Sequence, residues 1–224
     1  MAFTLPALLA RGAAAGLFGL LSKLRGKRVF HPVGSAYEAT VTFDADVAVD
    51  AELFRRPGPH RAVVRLSRGL GLPDSLPDVL GLAVKVPDAY GPGRDQDFLF
   101  ATSGRSPAGR HLLVPTRDVR RRPYSTLLFF RIGEDLFVLG AFPEEGEPLR
   151  FRLAAARATA EWVPVGRVEV GAELPAEVSE CLRFNPANTS GGIALVGPLN
   201  RLRDPAYRAS QDARPTPDAK CADL

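Results

Sequence analysis

Apolar and polar positions follow two different periods along the chain. Leu5, Leu8, Leu9, Leu17, Leu20, Leu21 and Leu24 recur at the three- and four-residue spacing of a helix with one apolar face. The pattern then turns to alternation. Residues 36–43, 62–66, 81–86 and 97–101 are short, rich in Val, Phe, Tyr and Thr, and separated by Pro and Gly clusters, which predicts strands joined by turns. Residues 126–132, 149–158 and 166–171 repeat the habit, with Pro143, Glu144, Glu145 and Gly146 marking a turn. The alanines of 154–162 leave that piece divided between helix and strand. Residues 174–182 predict a short helix and 198–214 a final one, stopped by Pro215-Thr216-Pro217.

Seven or more strands in 224 residues, framed by helices and with no internal repeat or interior linker, predict an α+β fold. The expected form is one closed antiparallel β-barrel of about eight strands with flanking helices. Three parts are expected: an amphipathic leading helix over 1–27, a single barrel domain over 28–214 and a tail over 215–224.

Composition narrows the function classes. The 21 glycines and 20 prolines suit turns between short strands better than a helical bundle. Of 29 basic residues only Lys23, Lys27, Lys85 and Lys220 are lysine, and the net charge is +4. The arginines are spread over the whole chain, the densest run being Arg120-Arg121-Arg122, so no basic face for nucleic acid is expected. Two cysteines and three histidines give no zinc spacing; a free thiol is the plainer reading for Cys181 and Cys221. Arg11 interrupts the leading helix, and its longest uncharged stretch, Gly12 to Ser22, is too short to span a bilayer. Its positive charges, Lys23, Arg25, Lys27 and Arg28, follow the apolar part rather than precede it, unlike a secretory signal. A cytoplasmic protein is expected, with residues 3–25 packed on the domain or lying in a membrane interface as a peripheral contact.

Three local patterns carry candidate chemistry. Arg28-Val29-Phe30-His31 puts a histidine just before the first strand. In Val64-Arg65-Leu66-Ser67, Arg65 and Ser67 point to one face of a strand and Val64 and Leu66 to the other; an arginine facing into a barrel needs an anionic partner. Arg203, Tyr207, Ser210 and Arg214 share one stripe of a helix. Taken singly, these are a structural histidine, a paired arginine and a solvated helix face. His60 reads as a turn residue, and Trp162 as core; His111 would contact substrate only if its Gly-rich loop folded over a site.

Together the patterns resemble the catalase superfamily, specifically its small catalase-like haem proteins. Arg28 to His31 is similar to the family's distal-histidine segment, and Val64 to Ser67 to its R-F-S strand. Asp78 to Lys85 resembles D-x-R-G-x-A-V-K with Leu80 in place of the arginine, and Arg203 to Arg214 resembles the proximal R-x-x-x-Y-x-x-T-x-x-x-R motif. The resemblance implies haem b (iron protoporphyrin IX), with Tyr207 as the iron ligand and Arg203 keeping its phenol ionised. It implies His31 as acid–base, oriented by Ser67, with Arg28, Arg65 and Arg214 pairing with propionates and Ser210 on the ligand helix. Thr102 or Ser103 stands where the family carries an asparagine, and a hydroxyl donates one hydrogen bond where an amide donates two. The implied activity is therefore a haem-dependent peroxidase that reduces hydrogen peroxide or organic hydroperoxides with an external electron donor, and dismutes peroxide weakly or not at all. Donor-independent rearrangement of fatty acid hydroperoxides and a non-catalytic haem-binding module are the alternatives. A monomer or homodimer is expected.

Overall fold

The computed structural model describes residues 34–197. Their framework is β1 (Gly34–Phe43), β2 (Gly58–Arg68), β3 (Leu80–Val86), β4 (Gln96–Thr102), β5 (Tyr124–Ser125), β6 (Phe130–Ile132), β7 (Asp135–Glu144), β8 (Arg150–Arg157), β9 (Val163–Glu173) and β10 (Ile193–Leu195). One short α-helix, α1 (Ala176–Cys181), and a 3-10 turn, Gly109–His111, complete the described elements. The segments expected to form the leading helix, the final helix and the tail lie outside the described residues. No helix within them is long and apolar enough to cross a membrane.

All pairings are antiparallel, and they close. The order β7-β5-β4-β3-β2-β1-β9-β8 returns to β7 through the β7–β8 ladder, making an eight-stranded barrel. β5 and β6 follow each other along one edge of β7, which they meet at Ser125↔Gly140 and Phe130↔Phe137, and β10 adds to β6. Between them Leu127 takes a φ of 60°, so of the strand expected over 126–132 only Phe130–Ile132 forms, while Tyr124–Ser125 pairs ahead of it.

Eight strands enclose just enough room for side chains. Val41, Phe43, Val64, Leu82, Val84, Phe98, Phe100, Leu139, Phe151 and Val168 fill it. At one end the chain between β1 and β2 folds inward, where Phe54 packs 5.1 Å from Phe43 and 6.3 Å from Phe98, ring to ring. A second, smaller cluster of Ala36, Val63 and Leu182 lies on the outside, with Leu174 and Phe184 against it.

β7 was not legible as a strand. Its run Leu136-Phe137-Val138-Leu139-Gly140-Ala141-Phe142 does not alternate because both faces are covered. Phe137, Leu139 and Ala141 enter the core, while Val138 is 0% exposed and Gly140 lies beneath Trp162, on which an added Cβ would fall at 2.7 Å. Residues 154–157 resolve as strand, and 176–181 as the expected short helix. Cys181 is disulfide-bonded, correcting the expectation of a free thiol.

Candidate functional site

Arg65 and Ser67 share a face of β2, as their alternation with Val64 and Leu66 requires. That face is the outer one: Val64 and Leu66 fill the barrel, and Val63, two positions before Arg65, packs in the external cluster. The expectation of an arginine facing into the barrel is thereby corrected. A core already filled by eight strands' aliphatic side chains has no room for a guanidinium.

Strand register places the neighbours of these two residues. Ser67 stands opposite Gly34 on β1 and Gly81 on β3, and Gly81 stands opposite Ala101 on β4. Arg65 stands opposite Ala36 and Ala83. The outer surface next to Ser67 is therefore built from glycine and alanine on three neighbouring strands, edged by the Arg65 side chain and by half-buried Leu99, which stands opposite Ala83. A Cβ at Gly34 would fall 2.6 Å from Leu66 O, 2.9 Å from Ser67 Cβ and 3.1 Å from Arg65 Cζ, so this corner admits no side chain without movement.

Thr102 stands elsewhere. It continues the inward face of Phe98 and Phe100, is 0% exposed, and its Oγ1 accepts a hydrogen bond from Leu80 N–H at 3.1 Å. Ser67 and Thr102 are thus on opposite faces of one sheet. Ser103 is 1% exposed, and its Oγ donates to Gly104 O at 3.2 Å. Arg28, His31, Arg203, Tyr207, Ser210 and Arg214 lie outside the described residues. Among the described residues no three metal-ligating side chains gather.

The outer face continues into a buried ionic cluster that sequence reasoning missed. Lys85 Nζ lies 2.9 Å from Asp97 Oδ1 and 2.7 Å from Asp95 Oδ2. Asp97 is 0% exposed and accepts hydrogen bonds from Asn185 N–H at 2.8 Å and Asn188 Nδ2 at 2.9 Å. Burial works against the Lys85 ammonium, but the Asp97 and Asp95 carboxylates outweigh it and hold its pKa above the ordinary value. The available signal was the pairing of Lys85, in the A-V-K motif, with an acid at the head of the next strand. Its effect is to fasten residues 185–188 to the barrel wall beside Arg65 and Ser67.

Three single residues differ from their expected places. His60, expected in a turn, lies in β2 with its Nε2 2.8 Å from Arg56 O and its ring 5.6 Å from Phe43. His111 Nδ1 is 2.7 Å from Leu127 O and its ring packs 5.0 Å from Phe129, so it serves the loop between β5 and β6. Trp162 is half-buried outside the barrel, with the Arg110 guanidinium 4.4 Å over its ring. Arg110 is 0% exposed and donates to Ala160 O at 2.9 Å and Arg157 O at 3.4 Å.

The closed eight-stranded antiparallel barrel has a catalase-like fold. The comparisons with known structures agree. A fungal catalase superposes with a TM-score of 0.62 at 13% identity, over 88% of this chain and 62% of that one. Catalase A from Saccharomyces cerevisiae gives 0.64 at 12%, over 89% and 64%, and a bacterial catalase 0.62 at 15%, over 94% and 62%. The chain spans under two thirds of the length of each of these catalases. No family model and no curated protein matches the sequence.

Proposed function

We propose that the protein is a haem-dependent peroxidase that reduces hydrogen peroxide or organic hydroperoxides at the expense of an external electron donor. The observation that carries the reading is the wall of Gly34, Gly81, Ala83 and Ala101 around Ser67, with Arg65 at its edge, on a catalase-like barrel. A flat macrocycle bearing carboxylates suits a surface of small side chains with a cation beside it, and Gly34, Gly81 and Ala101 next to Arg65 support the reading.

In this reading Arg65, with Arg28 and Arg214, pairs with the propionates, and Tyr207 ligates the iron as phenolate. Arg203 disfavours the neutral phenol, and Ser210 sits on the same helical stripe. When bound, the haem supplies a ferric centre that activates peroxide. His31 takes the proton from the incoming hydroperoxide and returns it to the leaving oxygen, while Ser67 Oγ holds the imidazole in orientation. Thr102 has no part, because it lies on the inner face of the sheet. No asparagine amide is then assigned beside the peroxide, which favours an external donor over dismutation.

The test is a visible absorption spectrum of protein expressed with haem supply, before and after hydrogen peroxide and cumene hydroperoxide. A high-spin ferric Soret band that responds to peroxide, lost or shifted in Tyr207→Phe, is the expected result. His31→Ala should keep the haem and lose most turnover. A flat baseline after reconstitution with hemin, or unchanged haem content and spectrum in Tyr207→Phe, would overturn the assignment.

A further inference from the structure

The two ends of the barrel differ. One is stoppered by Phe54, and the other holds a cleft of about 480 Å3 between the loops that follow β2, precede β5 and join β7 to β8. Its floor is apolar: Leu66, Leu80, Val119 and Leu149, all members of the core cluster or packed against it. Its rim is cationic through Arg117 and Arg120. Arg120 is already engaged, donating to Gly146 O at 2.9 Å and pairing with Glu147 at 2.5 Å. Arg117 is exposed and makes no hydrogen bond or ion pair among the described residues. Two further exposed arginines, Arg121 and Arg122, stand in the same loop.

An apolar floor of this volume, under a rim where one guanidinium has no partner among the described residues, selects a ligand with a hydrocarbon body and one anionic end. We propose that the cleft binds a medium- or long-chain monocarboxylate, its chain laid on Leu66, Leu80, Val119 and Leu149 and its carboxylate held by Arg117. A neutral amphiphile of equal length would bury the same chain but leave Arg117 solvated, and acetate would meet Arg117 without the floor. The cleft edge reaches Gly34 and Ser67, so the bound chain lies beside the wall described above, yet its binding does not depend on haem.

The experiment is isothermal titration of the full chain, with and without hemin, using decanoate, decanol and acetate below micellar concentrations. Decanoate should bind at one site about tenfold more tightly than decanol, the margin of a charge-assisted hydrogen bond, and acetate should give no heat. Arg117→Ala, at an exposed position, should bring decanoate down to decanol's affinity; Leu149→Ser should weaken both. No decanoate binding, equal affinity for acid and alcohol, or undiminished binding in Arg117→Ala would overturn the proposal. The heat reports no haem signal, so failure of the haem reading and failure of this one are read separately.

Discussion

Lys85 Nζ and Asp97 Oδ1, 2.9 Å apart, form a buried ion pair on the outer wall of the barrel rather than in its core. Asp97 also holds the loop at Asn185 and Asn188, so one carboxylate joins β3, β4 and the chain that returns toward β10. Asp97→Ala leaves a buried ammonium with Asp95 alone and strips two hydrogen bonds from the loop. The expected loss is about 3 kcal/mol in urea unfolding, the range for breaking one side of a buried pair. Asp97→Asn keeps an acceptor for Asn185 N–H and should lose less, with the amides of 185 and 188 staying protected from hydrogen exchange.

Stability should fall on the alkaline side. Burial raises Tyr124 above its ordinary value of 10.0, with the Asp118 charge adding to it, and its hydroxyl donates to Val119 O at 3.0 Å. Burial likewise raises Tyr90, helped by Glu52, and its hydroxyl donates to Gln96 Oε1 at 2.9 Å. Above pH 10 the unfolded chain releases these protons while the folded one keeps them, so stability is full below that value and declines above it. Lys85, held above 10.5, acts in the same direction. Urea midpoints from about pH 8 to about pH 11 should show the decline, and Tyr124→Phe should flatten it while costing about 1 kcal/mol at neutrality.

The latch between Arg110 and Trp162 should be stabilising in its own right. Trp162→Ala uncovers Gly140 and removes the ring from under a fully buried guanidinium, at an expected cost of about 2 kcal/mol for a half-buried ring. Arg110→Lys should not restore the wild type. A single ammonium cannot reach both Ala160 O and Arg157 O in the guanidinium's fork. Thermal melts of the two variants and their double mutant give the coupling between them.

If the small-residue wall holds haem as proposed, added bulk there should weaken hemin binding without unfolding the barrel. Ala83 is half-buried on the outer face opposite Arg65, so Ala83→Leu adds volume outside the packed interior. Its melting curve should stay within a few degrees of wild type, while hemin titration should show at least a tenfold loss of affinity, about 1.4 kcal/mol. Full hemin binding in that variant would separate the wall from the cofactor.

Local alternation determined most strands and the division of Arg65 and Ser67 from Val64 and Leu66, because side-chain direction along a strand follows from period two alone. The sequence also determined the catalase-like resemblance through its motifs, and the short helix after Leu174. It could not show β7, whose two covered faces erase the alternation, nor which face of β2 is inside. Closure decided that: once β7 pairs with β8 the aliphatic face must fill the barrel, and the face of Arg65, Ser67, Gly81 and Ala101 is left outside. Closure also sent Thr102 inward, since its parity with Phe98 and Phe100 became a place in the core. Contacts between residues far apart in the chain, such as Lys85 with Asp97 and Asn185 with Asp97, or the cleft beneath Arg117, exist only through register and loop packing. These carry no local period to read.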